Sequence, residues 1–93
     1  MKYIIHESRQ YRKAYKRVSK SGRFDLKKLN LIINALATGK KLEGRYRDHK
    51  LTGSMKNFRE CHIAPDLLLI YEIVEGELML ILLDLGSHTD LFE

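Results

Sequence analysis

After Arg59 the sequence contains no lysine or arginine. All 17 of them lie at or before that residue, beside only four acids (Glu7, Asp25, Glu43 and Asp48), so the first segment carries about +13. From Glu60 onward stand eight acids and no base, about −8. Such a split points to a polyanionic partner for the first two-thirds of the chain; the bland alternative is a pair of solvated basic helices. Cysteine is nearly absent too. Cys61 stands alone, which excludes an internal disulfide and makes a reducing cytoplasm the expected setting. No apolar run approaches the length of a membrane span, and the start, M-K-Y-I-I-H-E, turns polar too early for a signal peptide, so no membrane association is expected. Neither G-x-x-x-x-G-K-[ST] nor G-x-G-x-x-G occurs, which leaves nucleotide binding of those kinds unsupported. Repeats, linkers and low-complexity segments are missing as well.

The remaining composition suits one small domain spanning residues 1–93: 44% of the chain is hydrophobic, enough for one core. Lys2 to His6, apolar at Tyr3, Ile4 and Ile5, reads as a short strand. Ser8 is placed to cap a helix whose buried face is Tyr11, Ala14, Tyr15 and Val18, with Arg9, Arg12, Lys13, Lys16, Arg17 and Lys20 filling the rest. Ser21-Gly22 stops it. Asp25 caps a second helix with the stripe Leu26, Leu29, Ile32, Ile33 and Leu36, ended by Gly39. Three strands then follow. Phe58 to Ile63 alternates weakly, and Pro65-Asp66 makes a turn. Leu67 to Val74 is nearly all apolar, as in a central strand, and Glu75-Gly76 signals a tight hairpin into Glu77 to Leu85. The tail from Ser87 has room for one helical turn. The expected fold class is α+β: an antiparallel-rich sheet with an N-terminal helical hairpin packed on one face.

Chemistry concentrates between Leu42 and Asp66. His49 and His62 stand there among Arg45, Arg47, Lys50, Lys56 and Arg59, and His88 follows in G-S-H-T-D-L-F. Histidine can both take and give a proton near neutral pH. RNA brings its own nucleophile, the 2′-hydroxyl. Its cleavage needs a base, an acid for the leaving 5′-oxygen and cations for the phosphate. Bland readings stand beside these. His49 fits an exposed loop histidine, and His62, which shares a strand face with Phe58 and Glu60, fits a satisfied sheet histidine. Asp66 fits a turn residue, or a carboxylate that orients a histidine. His6 reads as structural and Cys61 as packing. No histidine pair has close ligand spacing, so no metal site is expected.

Three ordered blocks, Y-R-D-H-K-L-T-G, F-R-E-C-H-I-A-P-D-L-L-L-I-Y and L-G-S-H-T-D-L-F, resemble the signature of the YafQ branch of RelE-type toxins. The resemblance covers Leu42 to Phe92. It implies a small sheet carrying an N-terminal helical hairpin, as the pattern does independently. It also implies a metal-independent endoribonuclease that cleaves mRNA, usually on the ribosome, and needs no cofactor. A cognate antitoxin would neutralise it, and the pair would repress its own operator DNA. The family's functional histidines fall on His49, His62 and His88, its acid after proline on Asp66 and its C-terminal aromatic on Phe92. His88 would be the general acid, Asp66 with His49 or His62 the base side, and Phe92 a stacking surface for a base.

One position departs from the pattern. The family commonly carries arginine four residues before the last histidine, where this chain has Asp84. Strand parity groups Asp84 with Leu78, Leu80 and Leu82. A carboxylate there would repel a phosphate, so cationic help must come from Arg45, Arg47, Lys50, Lys56 or Arg59. Two alternatives to a ribosome-dependent nuclease follow: a ribosome-independent ribonuclease, or a weakened homologue kept as an antitoxin-binding and autorepression module.

Overall fold

The computed structural model describes residues 2–92. In chain order the elements are β1 (Ile4–Glu7), α1 (Arg9–Ser21), α2 (Leu26–Ala37), β2 (His49–Lys50), β3 (Arg59–Ala64), β4 (Leu67–Val74), β5 (Met79–Gly86) and α3 (His88–Phe92). The helix ends follow from local chemistry. Ser8 Oγ accepts from the Tyr11 N–H at 2.9 Å, and Asp25 Oδ1 from the Lys27 N–H at 3.0 Å, each satisfying a backbone donor the helix leaves free. Gly22 closes α1 at φ 68°, in the left-handed region that glycine enters without penalty.

The five strands form one mixed sheet in the order β1-β5-β4-β3-β2. β1 runs parallel to β5, and every other pairing is antiparallel. The helical hairpin lies on one face, α1 over β5 and α2 near β3. Tyr11, Ala14 and Val18 of α1 and Leu29, Ile32, Ile33 and Leu36 of α2 pack there with Cys61, Ile63, Leu67, Leu69, Tyr71, Leu80, Leu82 and Leu85. Fully burying each large aliphatic side chain of this set contributes about 1.5–3 kcal/mol. Burial pushes the Cys61 thiol far above its ordinary pKa, so it packs as a small apolar group and is no nucleophile.

Four features differ from the sequence reading. β2 is an extra edge strand, with His49 opposite Glu60 and Lys50 opposite Arg59; two residues are too few to show alternation. The link between β4 and β5 is a 3-10 turn over Glu75–Glu77 followed by Leu78 at φ 52°, longer than a two-residue hairpin. Two β-bulges break the register. Ile63 is the extra residue on β3, because His62 pairs Leu68 while Ala64 pairs Leu67. Leu83 is extra on β5, because Ile70 pairs Asp84 while Tyr71 pairs Leu82. The second bulge overturns the parity that grouped Asp84 with Leu80 and Leu82: those leucines are in the core, and Asp84 falls on the row of Ile70.

Candidate active site

The sheet face away from the hairpin has buried apolar residues of its own, Leu68 and Ile70, each 2% exposed, with polar side chains beside them. Paired residues share a face, so Glu60, Ile70 and Asp84 form one row across β3, β4 and β5, and His62, Leu68 and Gly86 form the next. His49, opposite Glu60, extends the first row onto β2. Glu60 is the buried acid of this face, 6% exposed. Its Oε1 lies 3.4 Å from His62 Nε2 and 3.7 Å from His49 Nε2. The two histidines thirteen positions apart in sequence are thus joined through one carboxylate. His49 Nδ1 is 2.7 Å from the Arg47 carbonyl oxygen. A carbonyl can only accept, so Nδ1 carries a proton, and Nε2 is the ring atom that faces Glu60.

The turn before His49 is held by Asp48. Its Oδ1 accepts from the Tyr71 hydroxyl at 2.6 Å and from Arg59 Nε at 3.2 Å. Burial and the Asp48 hydrogen bond push the Tyr71 phenol well above its ordinary pKa. The Arg59 guanidinium is also raised: burial works against its charge, and Asp48 and the Tyr71 hydroxyl together outweigh it. Arg59 is therefore engaged by the fold, whereas Arg45, Arg47, Lys50 and Lys56 are exposed. Arg47 itself sits at φ 51°, a left-handed conformation uncommon outside glycine, which swings the chain from the 3-10 turn Gly44–Tyr46 into β2.

His88 opens α3, two residues past Gly86 and so at the same end of the sheet as His62. Strand spacing puts the Gly86 and His62 backbones about 10 Å apart. A short cap fixes this corner. Ser87 Oγ accepts from the Asp90 N–H and the Ser87 N–H donates to Asp90 Oδ2, both at 3.0 Å. These Ser87 hydrogen bonds hold the Asp90 carboxyl below its ordinary pKa. Arg17 of α1 donates to the Leu85 carbonyl at 3.1 Å and lies 3.6 Å from Asp90. A Cβ at Gly86 would meet the Arg17 and Asp90 side chains at 3.0 Å, so any larger residue there makes them give way by a few tenths of an ångström. The Phe92 ring stands 5.1 Å from that of His88, tilted 42°, and is 39% exposed.

Of the residues singled out from sequence, the structure joins His49 and His62 and sets His88 at their end of the sheet. Asp66 is in the β3–β4 turn at that end, but its carboxylate accepts from Arg23 at 3.3 Å; among the described residues no hydrogen bond or ion pair ties it to a histidine. Asp84 accepts from the Gln10 side-chain amide at 2.6 Å and from the Leu85 N–H at 2.8 Å. Glu60, Asp48 and Gly86 were not among the predicted site residues. Only Glu60 left a signal, the alternation in R-E-C-H-I that sets it on His62's face. Among the described residues no group of three or more His, Cys, Asp or Glu side chains is arranged to hold a metal ion. No helix among them is long and apolar enough to cross a membrane.

This architecture is that of a class of small α+β bacterial toxins. A metal-bound toxin from Helicobacter pylori superposes with a TM-score of 0.89 at 47% identity, covering 97% of this chain and 99% of that one. The toxin in the Escherichia coli DinJ–YafQ complex superposes at 0.88 with 32% identity, covering 98% and 99%. In sequence, the mRNA interferase toxin YafQ of E. coli K12 is 35% identical over 89 residues, 95% of this chain and 94% of that protein. The family described as bacterial toxin of type II toxin–antitoxin system, YafQ, matches residues 3–93, and the chain belongs to it.

Proposed function

We propose that this chain is an mRNA endoribonuclease that acts on the ribosome, without a metal ion, by attack of the RNA 2′-hydroxyl. The observation that carries the reading is the shared carboxylate: Glu60 Oε1 between His62 Nε2 and His49 Nε2, on the sheet face away from the hairpin and toward the end where α3 begins with His88. In this reaction the 2′-oxygen forms a bond to phosphorus while the bond from phosphorus to the 5′-oxygen breaks. The 2′-hydroxyl proton passes to the His49–His62 side, and His88 gives its proton to the leaving 5′-oxygen. Glu60 offsets the positive charge that builds when either ring takes the proton, much as a buried aspartate does for a catalytic histidine elsewhere. Arg45, Arg47, Lys50 and Lys56 supply cations for the strand and the charging phosphate. Arg59, engaged by Asp48, serves the turn that presents them. Phe92 offers its exposed part to a base and holds the His88 ring. Asp66, bonded to Arg23, contributes at the sheet end as an anchor of the β3–β4 turn.

The proposed partners are mRNA, the ribosome and a cognate antitoxin with an acidic segment that lies on the basic part of the chain. The pair would bind its operator DNA. The E. coli relative crystallised with DinJ supports the antitoxin. The cytoplasm, where these partners reside, is the proposed location. Purified protein incubated with naked RNA, and separately with programmed ribosomes, tests the function. Cleavage on ribosomes alone is expected. Equal cleavage of naked RNA would make it a free ribonuclease, and cleavage of neither would leave an antitoxin-binding module.

A further inference from the structure

Beside the histidine row lies a groove of about 390 Å³ lined by Lys28, Arg45, Tyr46, Arg47, His62, Ile63, Ala64 and Pro65. It runs from α2, across the turn that precedes β2, to the end of β3. Its cations come from two separate segments. Lys28 is on the exposed side of α2, and its Nζ stands 5.6 Å from the centroid of the Tyr46 ring. The Arg45 guanidinium stands 4.9 Å from the same centroid and also donates to the Tyr46 hydroxyl at 2.8 Å. Arg47 enters from the left-handed residue of the turn. No acid lines the groove; the acid beside it is Glu43, whose carboxylate meets Arg45 at 3.5 Å in an exposed pair that water weakens. Like charges gathered on one aromatic ring repel each other unless an anion sits among them. His62 forms part of the wall, so an anion held here lies next to one of the rings that handle the proton.

We propose that this groove is a backbone subsite for the substrate RNA, in which Lys28, with Arg45 and Arg47, grips a phosphodiester neighbouring the cleaved one and so sets which linkage reaches His62. Lys28 is a positioning residue in this account. The proposal rests on the nuclease reading above, and its test separates the two. Cleavage kinetics on programmed ribosomes would be measured for wild type, Lys28→Ala, Lys28→Arg and Lys27→Ala. Lys27 neighbours Lys28 on the exposed side of α2 but is not part of the groove. The thermal midpoint of each variant would be recorded beside its kinetics.

Lys28→Ala is expected to raise KM about 3- to 10-fold, the scale of one ordinary hydrogen bond for a contact that water weakens, with kcat and thermal midpoint unchanged. Binding of a non-cleavable 2′-deoxy oligonucleotide should lose about 0.7 from its salt slope, one phosphate contact on a single strand. Lys28→Arg should restore KM, and Lys27→Ala should match wild type. An active wild type with Lys28→Ala indistinguishable from Lys27→Ala overturns the subsite and leaves the nuclease reading standing. A Lys28→Ala variant that loses antitoxin affinity while keeping its RNA KM also overturns it, and assigns the groove to the antitoxin. A wild type that neither binds nor cleaves RNA overturns both.

Discussion

The two faces of the sheet obey different rules. Under the hairpin, Cys61, Leu69 and Leu85 stand opposite one another in a row, each 0% exposed, and the side chains there are almost all apolar. One row along, on the other face, Glu60, Ile70 and Asp84 stand opposite one another, and two of the three are carboxylates. The covered face gains stability from area removed from water, which is non-directional and tolerates similar shapes. Glu60 instead is buried with its charge facing two imidazoles, an arrangement that stabilises little unless those rings answer it. Side chains that cost stability where they stand are expected at sites of function. If the proposed chemistry uses the second face, then substitutions of its polar side chains should act on activity and substitutions under the hairpin on stability.

The sharpest way to break that division is a pair of variants. Leu69→Ala should destabilise the protein by about 2–5 kcal/mol, the range for a buried leucine truncated to alanine, with the rate per folded molecule preserved. His88→Ala should lower cleavage by about 10²–10⁴-fold, the usual worth of a general acid, with an unchanged thermal midpoint and with His6→Ala as an inert control. Denaturant melts run beside single-turnover cleavage would check both. Activity and stability falling together in both variants would erase the distinction.

A smaller effect is expected where the faces are tied together. Asp48 links the turn carrying Arg45, Arg47 and His49 to Tyr71 of β4 and Arg59 of β3. Asp48→Ala leaves the Tyr71 hydroxyl and the half-buried Arg59 without their acceptor, a loss of about 2 kcal/mol. It should also slow cleavage, because the turn loosens. Calorimetry together with cleavage assays would show whether this one side chain moves both quantities. Gly86→Ala should act on the His88 corner: its Cβ would meet the Arg17 and Asp90 side chains at 3.0 Å and strain the cap that starts α3. A fall in kcat of about tenfold is expected, as a misplacement near 1 Å can cost up to a hundredfold. Unchanged kcat would mean that the corner gives way harmlessly.

The smallest effect is expected at Asp84. From the sequence, Asp84→Arg should raise cleavage if the side chain points into the site, because arginine would hold a phosphate that a carboxylate repels. The structure turns this carboxylate to Gln10 and to the Leu85 N–H, at the start of α1. Single-turnover cleavage by Asp84→Arg should therefore stay within about threefold of wild type, under 1 kcal/mol of barrier. A rise of tenfold or more would return Asp84 to the site.

How much of this was legible in the sequence follows from the range of each interaction. The caps at Ser8 and Asp25, the stop at Gly22 and the stripes of both helices depend on residues within a turn of each other, and the sequence reading places them correctly. The covered face of β4 was legible as an apolar run. The register of β5 was not. In M-L-I-L-L-D-L-G every position before Asp84 is apolar, so no alternation marks Leu83 as the bulged residue. The histidines were legible as residue types, and their family resemblance ordered them. That Glu60 joins two of them depends on the pairing of β2 with β3, and that Asp48 holds Tyr71 depends on contact between segments 23 positions apart. Lys28 belongs to the second helix and carried no local sign of the groove it lines.

The central claim is the proposed one: RNA is cleaved through its own 2′-hydroxyl at the sheet face away from the hairpin, with histidines moving the protons and no metal taking part. The most direct measurement is the end chemistry of mRNA cut on programmed ribosomes by protein stripped with a chelator, assayed with enough Mg²⁺ for the ribosome alone. The account predicts cleavage at the untreated rate, a 2′,3′-cyclic phosphate on one product and a 5′-hydroxyl on the other, and no cleavage of a message with a 2′-deoxy nucleotide at the cut position. Loss of activity on stripping that zinc or copper restores, or cleavage that persists at the 2′-deoxy position, would contradict it.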